Sequence, residues 1–367
     1  MDRHPYPRPL PHANEIAITP TMLRLIAGIE AFRASWSARP PLPEDRLLAL
    51  RRVATIQSVG ASTRIEGAVL SDREVEAFLR GFDPAAIERR DEQEVAGYAD
   101  AIDLVIGHWP DIPVTANGIR QLHRLMLAYS ERDDWHRGSF KATANSVAAV
   151  DAFGNPVGII LQTASPFETP QRMEDLTAWY AREEGAGREG LHPLLRIGAF
   201  VVVFLQIHPF QDGNGRLSRL LTTLLLLREG YAYTPYASIE RLIERRRETY
   251  YRALRQTQGT LVTETPDWTP WLTFFLEILH EQTRVLDAQL GDERVLAAYA
   301  PERAAILRLA GERERITMRE LVLLTGINRN TLKGHLRALV EEGRLVLHGT
   351  GRGSWYSLPL SPPLPQP

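Results

Sequence analysis

His208-Pro209-Phe210-Gln211-Asp212-Gly213-Asn214-Gly215-Arg216-Leu217-Ser218-Arg219 puts an imidazole, a carboxylate, two glycines, two amides and two guanidinium groups into twelve residues. Long apolar runs flank it. Phe200-Val201-Val202-Val203-Phe204-Leu205 stands before it, and Leu220-Leu221 and Leu224-Leu225-Leu226-Leu227 stand after it. Runs of that length between polar punctuation predict two buried helices. The polar stretch between them is therefore held in a core, where unpaired charge is costly unless a ligand or ion answers it.

The chemistry of the stretch follows from its residue types. Gly213 and Gly215 allow close backbone approach, and a loop opening a helix presents free N–H groups to an anion. Arg216 and Arg219 lie three apart, on one face of the first turn, and two guanidinium forks suit a di- or triphosphate. Asp212 supplies the hard oxygen that Mg²⁺ prefers, with phosphates completing the shell. His208 is placed to take a proton from an incoming hydroxyl. Taken singly, each feature has a plainer reading: a structural histidine, a turn, a pair of surface arginines. Their occurrence together between two apolar helices predicts a phosphoryl- or nucleotidyl-transfer site.

At every specified position the stretch resembles the signature of the Fic family, H-P-F-x-[DE]-G-N-G-R-x-x-R. The resemblance implies a mainly α protein: a helical Fic core with a small β-hairpin flap. It implies transfer of AMP from ATP to a Ser, Thr or Tyr hydroxyl of a target protein or of the chain itself, with release of pyrophosphate. His208 would be the general base and Asp212 would bind Mg²⁺ (or Mn²⁺). Gly213, Asn214, Gly215 and Arg216 would cradle the phosphates, and Arg219 would orient the γ-phosphate. Tyr250 and Tyr251 fall in the helix that lines the family's adenine pocket. The segment from Ser146 to Ile160 reads as a hairpin with a glycine-containing turn at 153–155. It sits where the family has its flap, which docks a target by strand addition. The resemblance covers roughly residues 45–290.

Upstream, Ser62-Thr63-Arg64-Ile65-Glu66-Gly67 resembles the family's inhibitory motif, [ST]-x-x-x-E-[GN]. Ser62 and Glu66 are four apart and share a helix face. The resemblance implies that Glu66 reaches Arg219 and takes the γ-phosphate position. In some relatives this Glu also serves AMP removal. The plainer reading is a helix end with a surface glutamate.

The rest of the chain frames this site. It has 367 residues, 44% hydrophobic, with net charge −2 and no cysteine. That length allows two or three domains, the charge excludes a general polyanion binder, and the lack of cysteine excludes disulfides and thiolate metal sites. No signal peptide or membrane span is apparent, so a cytoplasmic location is expected. Lysine occurs only at 141 and 333. Helices are expected at 21–36, 45–60, 71–80, 83–108, 115–126, 169–182, 241–258 and 268–290.

Residues 301–360 carry ten Arg and Lys against six Asp and Glu, about +4. Three helices (302–310, 318–325, 329–342) and two short strands (345–347, 355–358) are expected there, an order that resembles a winged helix. Arg329, Asn330, Lys333 and Arg337 would face DNA from its recognition helix. The competing reading is a protein–protein or homodimerisation module. The expected organisation is an N-terminal helical region (1–110), the Fic core (111–290), the winged-helix domain (291–358) and a disordered proline-rich tail (359–367). Two rival functions remain at this stage. One is a DNA-binding regulator with a nucleotide-sensing core. The other is a related enzyme that transfers UMP or phosphocholine, or removes AMP.

Overall fold

Both apolar runs are buried helices. α7 (Pro193–Ile207) buries every residue from Leu194 to Ile207, and α8 (Asn214–Arg228) buries Leu217 to Leu227 without a break. They pack against each other, and the polar stretch turns between them. The structure is a computed structural model that describes residues 10–11, 15–82, 87, 89–145, 147–150, 156–161, 163–187, 190–297, 300–311, 313 and 315–359. Residues 1–9 and 12–14, the turn at 153–155 and most of the proline-rich tail lie outside the described residues.

Fourteen α-helices occur among the described residues, and the chain divides into two compact units, Met1–Arg284 and Val285–Pro367. In the first, α1 (Pro20–Ala38) and α2 (Glu44–Ile65) precede a short α3 (Asp72–Arg80). Ser71 opens α3 with a complete capping box to Glu74. α4 (Arg90–His108) packs on α2, α8 and α5 (Ala116–Met126). Gly97 permits the approach to α5, because a Cβ there would stand 2.0 Å from the Met126 carbonyl oxygen. α6 (Thr169–Gly185) covers α7, and α11 (Thr269–Ala297) meets it where Trp271 Nε1 donates to the Gly198 carbonyl at 2.7 Å. Truncating a core leucine such as Leu220, which has no exposed surface, would cost roughly 2–5 kcal/mol.

Two helix boundaries differ from expectation. The helix expected from Asp83 begins at Arg90, since Arg89 is extended (φ −85°, ψ 138°). Asp91 and Glu92 fill the first turn, where the helix dipole favours acids, and the apolar spacing starts only at Val95. The single helix expected over 241–258 is two, α9 (Ile239–Arg245) and α10 (Arg247–Thr260). Arg246 breaks it with φ −114° and ψ 29°, its side chain held on α11 by Glu277 at 2.5 Å.

A two-stranded antiparallel hairpin, β1 (Val147–Val150) and β2 (Pro156–Leu161), pairs Val147 with Leu161 and Val150 with Pro156. Two register shifts interrupt its ladder. In the second unit α12 (Pro301–Gly311), α13 (Met318–Thr325) and α14 (Arg329–Glu341) enclose Ile306, Leu321, Leu332, Leu336 and Leu339. Gly326 turns α13 toward α14 at φ +67°, and Asn328 caps α14. Its sheet has three strands in the order β3 (Ile316–Thr317), β5 (Trp355–Ser357), β4 (Val346–His348). β3 was not expected: two residues are too few for alternation to show.

Candidate active site

The turn between α7 and α8 is built by its own backbone geometry. His208 ends α7 with φ 52° and ψ 60°, the one positive-φ residue other than glycine among the described residues. Gly213, at φ +79°, starts α8. Asn214, the first residue of α8, closes the loop. Its Oδ1 accepts from Phe210 N at 2.9 Å and its Nδ2 donates to Phe210 O at 2.7 Å. Phe210 is fully buried and stacks on His123, with ring centroids 3.8 Å apart and planes at 12°. The phenyl ring anchors the loop, and His208 and Asp212 stand on either side of that anchor.

His123 was not singled out in the sequence. Its Nδ1 accepts from Gly138 N at 3.0 Å, which leaves the proton on Nε2 to donate to Asp212 O, also 3.0 Å away. Burial lowers its pKa to about 4, so it is a neutral structural ring. His208 is partly exposed, and burial, with Lys141 nearby, lowers its pKa to about 4 as well. Its Nδ1 lies 3.4 Å from Leu205 O, an arrangement that leaves the lone pair on Nε2. The imidazole is thus an unprotonated base at neutral pH.

Asp212 is the charged group of the loop. Its Oδ1 accepts from Gly213 N at 2.6 Å and lies 3.7 Å from Arg216 Nη2; Arg90 Nη2 meets its Oδ2 at 3.3 Å. Burial opposes the charge, but Arg216, the Gly213 N–H and Arg90 prevail and hold the carboxyl below its usual range. Arg216 is buried, ion-paired to Glu94 at 3.3 Å, and its Nε has no hydrogen-bond partner. A buried donor in that state suits an incoming phosphate oxygen.

Arg219 is buried one turn further along α8. Its Nε donates to Ser62 Oγ at 2.9 Å, and its Nη2 donates to Ser62 O at 2.9 Å and to Glu66 Oε1 at 2.8 Å. Despite burial, the Glu66 carboxylate raises the guanidinium pKa above its ordinary value. Glu66 caps the end of α2, and Gly67 follows at φ +111°. Its carboxylate lies against the start of α8: a Cβ on Gly215 would stand 2.2 Å from Glu66 Oε1. It occupies the position at a helix N-terminus that an anionic ligand would take.

Tyr250 and Tyr251 stand close enough to this pair for its charges to influence both phenols. Tyr250 is 3% exposed and packed among Trp271 and Phe274, while Tyr251 is partly exposed. Arg329, Asn330, Lys333 and Arg337 belong to the second unit and are all exposed on α14, whereas Leu332 and Leu336 are buried. No group of three or more His, Asp or Glu residues forms a metal cage among the described residues. Asp212 as a lone carboxylate, 44% exposed, fits the other mode of Mg²⁺ binding, one carboxylate completed by substrate phosphates.

Residues 113–226 match the Fic/DOC family. The chain is 28% identical over 216 residues to protein adenylyltransferase Fic of Drosophila willistoni, a match covering 57% of this chain and 39% of that protein. The chain spans about half or less of the curated relatives it matches. A solved Fic family protein from Desulfovibrio desulfuricans superimposes with a TM-score of 0.61 at 23% identity, covering 97% of this chain and 100% of that one. A Fic domain containing signaling protein from Bacteroides thetaiotaomicron gives 0.56 at 24% identity, over 72% of this chain and 94% of that one. The fold is the mainly α Fic fold.

Proposed function

The chain belongs to the Fic/DOC family, and we propose that it is a protein adenylyltransferase held inactive by its own Glu66. The observation that carries the reading is the pairing of a neutral His208 with a phosphate-ready α8 N-terminus across one short loop. In the reaction, a Ser, Thr or Tyr hydroxyl oxygen of the target forms a bond to the α-phosphorus of ATP. The bond from that phosphorus to the bridging oxygen breaks, and pyrophosphate leaves with the electron pair. The hydroxyl proton passes to His208 Nε2. Arg216 and the N–H groups of Asn214 and Gly215 hold the phosphates, Gly213 supplies the left-handed turn that aims them, and Arg219 holds the γ-phosphate once Glu66 withdraws. A divalent cation, Mg²⁺ or Mn²⁺, held by Asp212 would neutralise charge on the phosphates when bound. The partly exposed Tyr251 borders the adenine, and a target segment adds to the edge of the β1–β2 hairpin, offering its hydroxyl to His208.

The test is a panel of α-labelled nucleoside triphosphates with the purified Glu66→Gly variant. Label transfer from ATP to protein supports the reading. Transfer from another nucleotide points to a related enzyme, and loss of pre-installed AMP points to a hydrolase. No transfer from any nucleotide overturns the reading in favour of a nucleotide-sensing regulator.

The second unit supports a winged-helix reading with α14 as the DNA-facing helix, because Arg329, Asn330, Lys333 and Arg337 are all exposed on it. Duplex binding that weakens with salt and is lost in Arg329→Glu/Lys333→Glu would support it. Self-association unaffected by DNA would favour a homodimer module instead.

A further inference from the structure

Lys141 is one of only two lysines in the chain and is 2% exposed. Its Nζ donates to Asn145 Oδ1 at 2.8 Å, Thr163 Oγ1 at 3.0 Å and Ile207 O at 3.0 Å. Three donors meet three acceptors, and none of the acceptors is a carboxylate. Burial lowers its pKa to about 8, with Glu168 opposing the shift. A neutral side chain could make such bonds with a smaller desolvation penalty, so a buried charge here calls for a use.

Its neighbours point to that use. The backbone N–H of Lys141 donates to Pro209 O at 2.9 Å. Asn145 Nδ2 donates to Phe210 O at 2.6 Å and reaches His208 O at 3.3 Å. The carbonyls of four successive residues, 207 to 210, are therefore all held from the segment 141–145. This is the stretch in which His208 adopts a left-handed backbone that L-residues avoid. Asn145 stands just before β1 and Thr163 just after β2. Both feet of the hairpin thus end on the same ammonium group.

We propose that Lys141 is a positioning residue for His208, joining both feet of the hairpin to the loop that presents the imidazole. The kinetic part of the inference rests on the transferase reading above; the structural part does not. Three charged groups act on the imidazole. Lys141 lowers its basicity, while Glu66 from the end of α2 and Asp212 from the same loop raise it. Removing the ammonium leaves only the acids, and in a chain without Glu66 it leaves Asp212 alone.

The experiment uses the full chain in the Glu66→Gly background with Lys141→Met, Lys141→Gln and Lys141→Arg. The His208 imidazole is titrated by NMR of ¹⁵N-histidine-labelled protein, with its signal assigned by its loss in His208→Gln. In parallel, kcat and KM for ATP are measured. Lys141→Met and Lys141→Gln are expected to raise the His208 midpoint by about one pH unit or more. They lower kcat by about tenfold or more, while KM for ATP stays within about twofold. Lys141→Arg, which keeps charge and donors, restores both.

A folded Lys141→Met or Lys141→Gln variant with the parent's midpoint and kcat overturns the proposal. So does a Lys141→Arg variant as impaired as Lys141→Met. Should Lys141→Met not fold, Lys141→Gln decides on the same two readouts. If the Glu66→Gly parent transfers no nucleotide, the transferase reading fails, and the NMR titration still decides the role of Lys141.

Discussion

Glu66 Oε1 lies 2.8 Å from Arg219 Nη2, although 153 residues separate the two in the chain. The pair joins the end of α2 to the first turns of α8, with the Glu66 carboxylate seated over Gly215. One side chain thereby covers both the helix N-terminus and the buried guanidinium. A charge-assisted hydrogen bond of this kind is worth roughly 1.5–3 kcal/mol.

Glu66→Gly should therefore raise transfer of AMP to the protein itself by on the order of tenfold to a hundredfold, the factor equivalent to that energy. Ser62→Ala should give a smaller rise, because Arg219 keeps the Ser62 carbonyl as an acceptor. Incorporation of α-labelled ATP measures both. Equal rates in wild type and Glu66→Gly across Mg²⁺ and Mn²⁺ concentrations would remove the inhibitory role.

His208 sets a second expectation. Its pKa of about 4 leaves it neutral over most of the usable range. In the Glu66→Gly background, which also removes a carboxylate that raises this pKa, kcat/KM should hold level down to about pH 4 and show no limb near 6.5, the ordinary histidine value. His208→Ala should lower kcat by roughly 10²–10⁴ at neutral pH, the usual contribution of a general base. A pH–rate profile bending near 6.5 would show that the imidazole is more solvated than this site implies.

The order of elements was legible because apolar periodicity carries it: α7 and α8 are marked by continuous apolar runs, α3 and α5 by the caps Ser71 and Thr115. The local chemistry of 208–219 was also legible, since its residues are adjacent. What escaped were partnerships across the chain. Lys141, Asn145 and Thr163 have no spacing that links them to Ile207 or His208. His123 sits in an ordinary amphipathic helix, and only the fold brings it onto Phe210. The break at Arg246 was hidden because the residues on both sides favour helix, and the contact of its side chain with Glu277 is tertiary.

Histidine burial predicts acid lability. His123 has no exposed surface, and its pKa falls from 6.5 to about 4 on folding. A lowered histidine contributes stability that is present above the unfolded value and is lost as pH falls through the folded value. Between pH 6.5 and 4 the unfolded chain binds more protons, so stability must decline across that window, by on the order of 3 kcal/mol from this ring. Denaturant midpoints between pH 7 and 4 measure the decline. His123→Phe, which keeps a flat ring against Phe210, should be less stable at pH 7 and show a shallower slope. An unchanged slope would place the acid sensitivity elsewhere.

The end of α2 is pinned from outside the active site, which makes the strength of the Glu66 contact adjustable. Arg64 donates from Nε to Glu244 Oε1 at 2.6 Å, from Nη2 to Asp72 Oδ1 at 2.8 Å and from Nη1 to Leu70 O at 2.8 Å. Arg241 completes the cluster at Asp72 Oδ2, 2.7 Å away. Hydrogen bonding to Glu244 raises the Arg64 pKa further, so the guanidinium of the clamp stays charged. Glu244→Gln weakens it without touching the loop at 208–219. It should cost roughly 1 kcal/mol of stability for a partly buried pair. It should also raise basal AMP transfer severalfold, short of Glu66→Gly, because α2 then holds Glu66 over Gly215 less firmly. The double variant Glu66→Gly/Glu244→Gln separates the two explanations. Transfer no higher than in Glu66→Gly alone shows that the clamp acts through Glu66, whereas an additive gain would show that Glu244 influences the nucleotide site by another route.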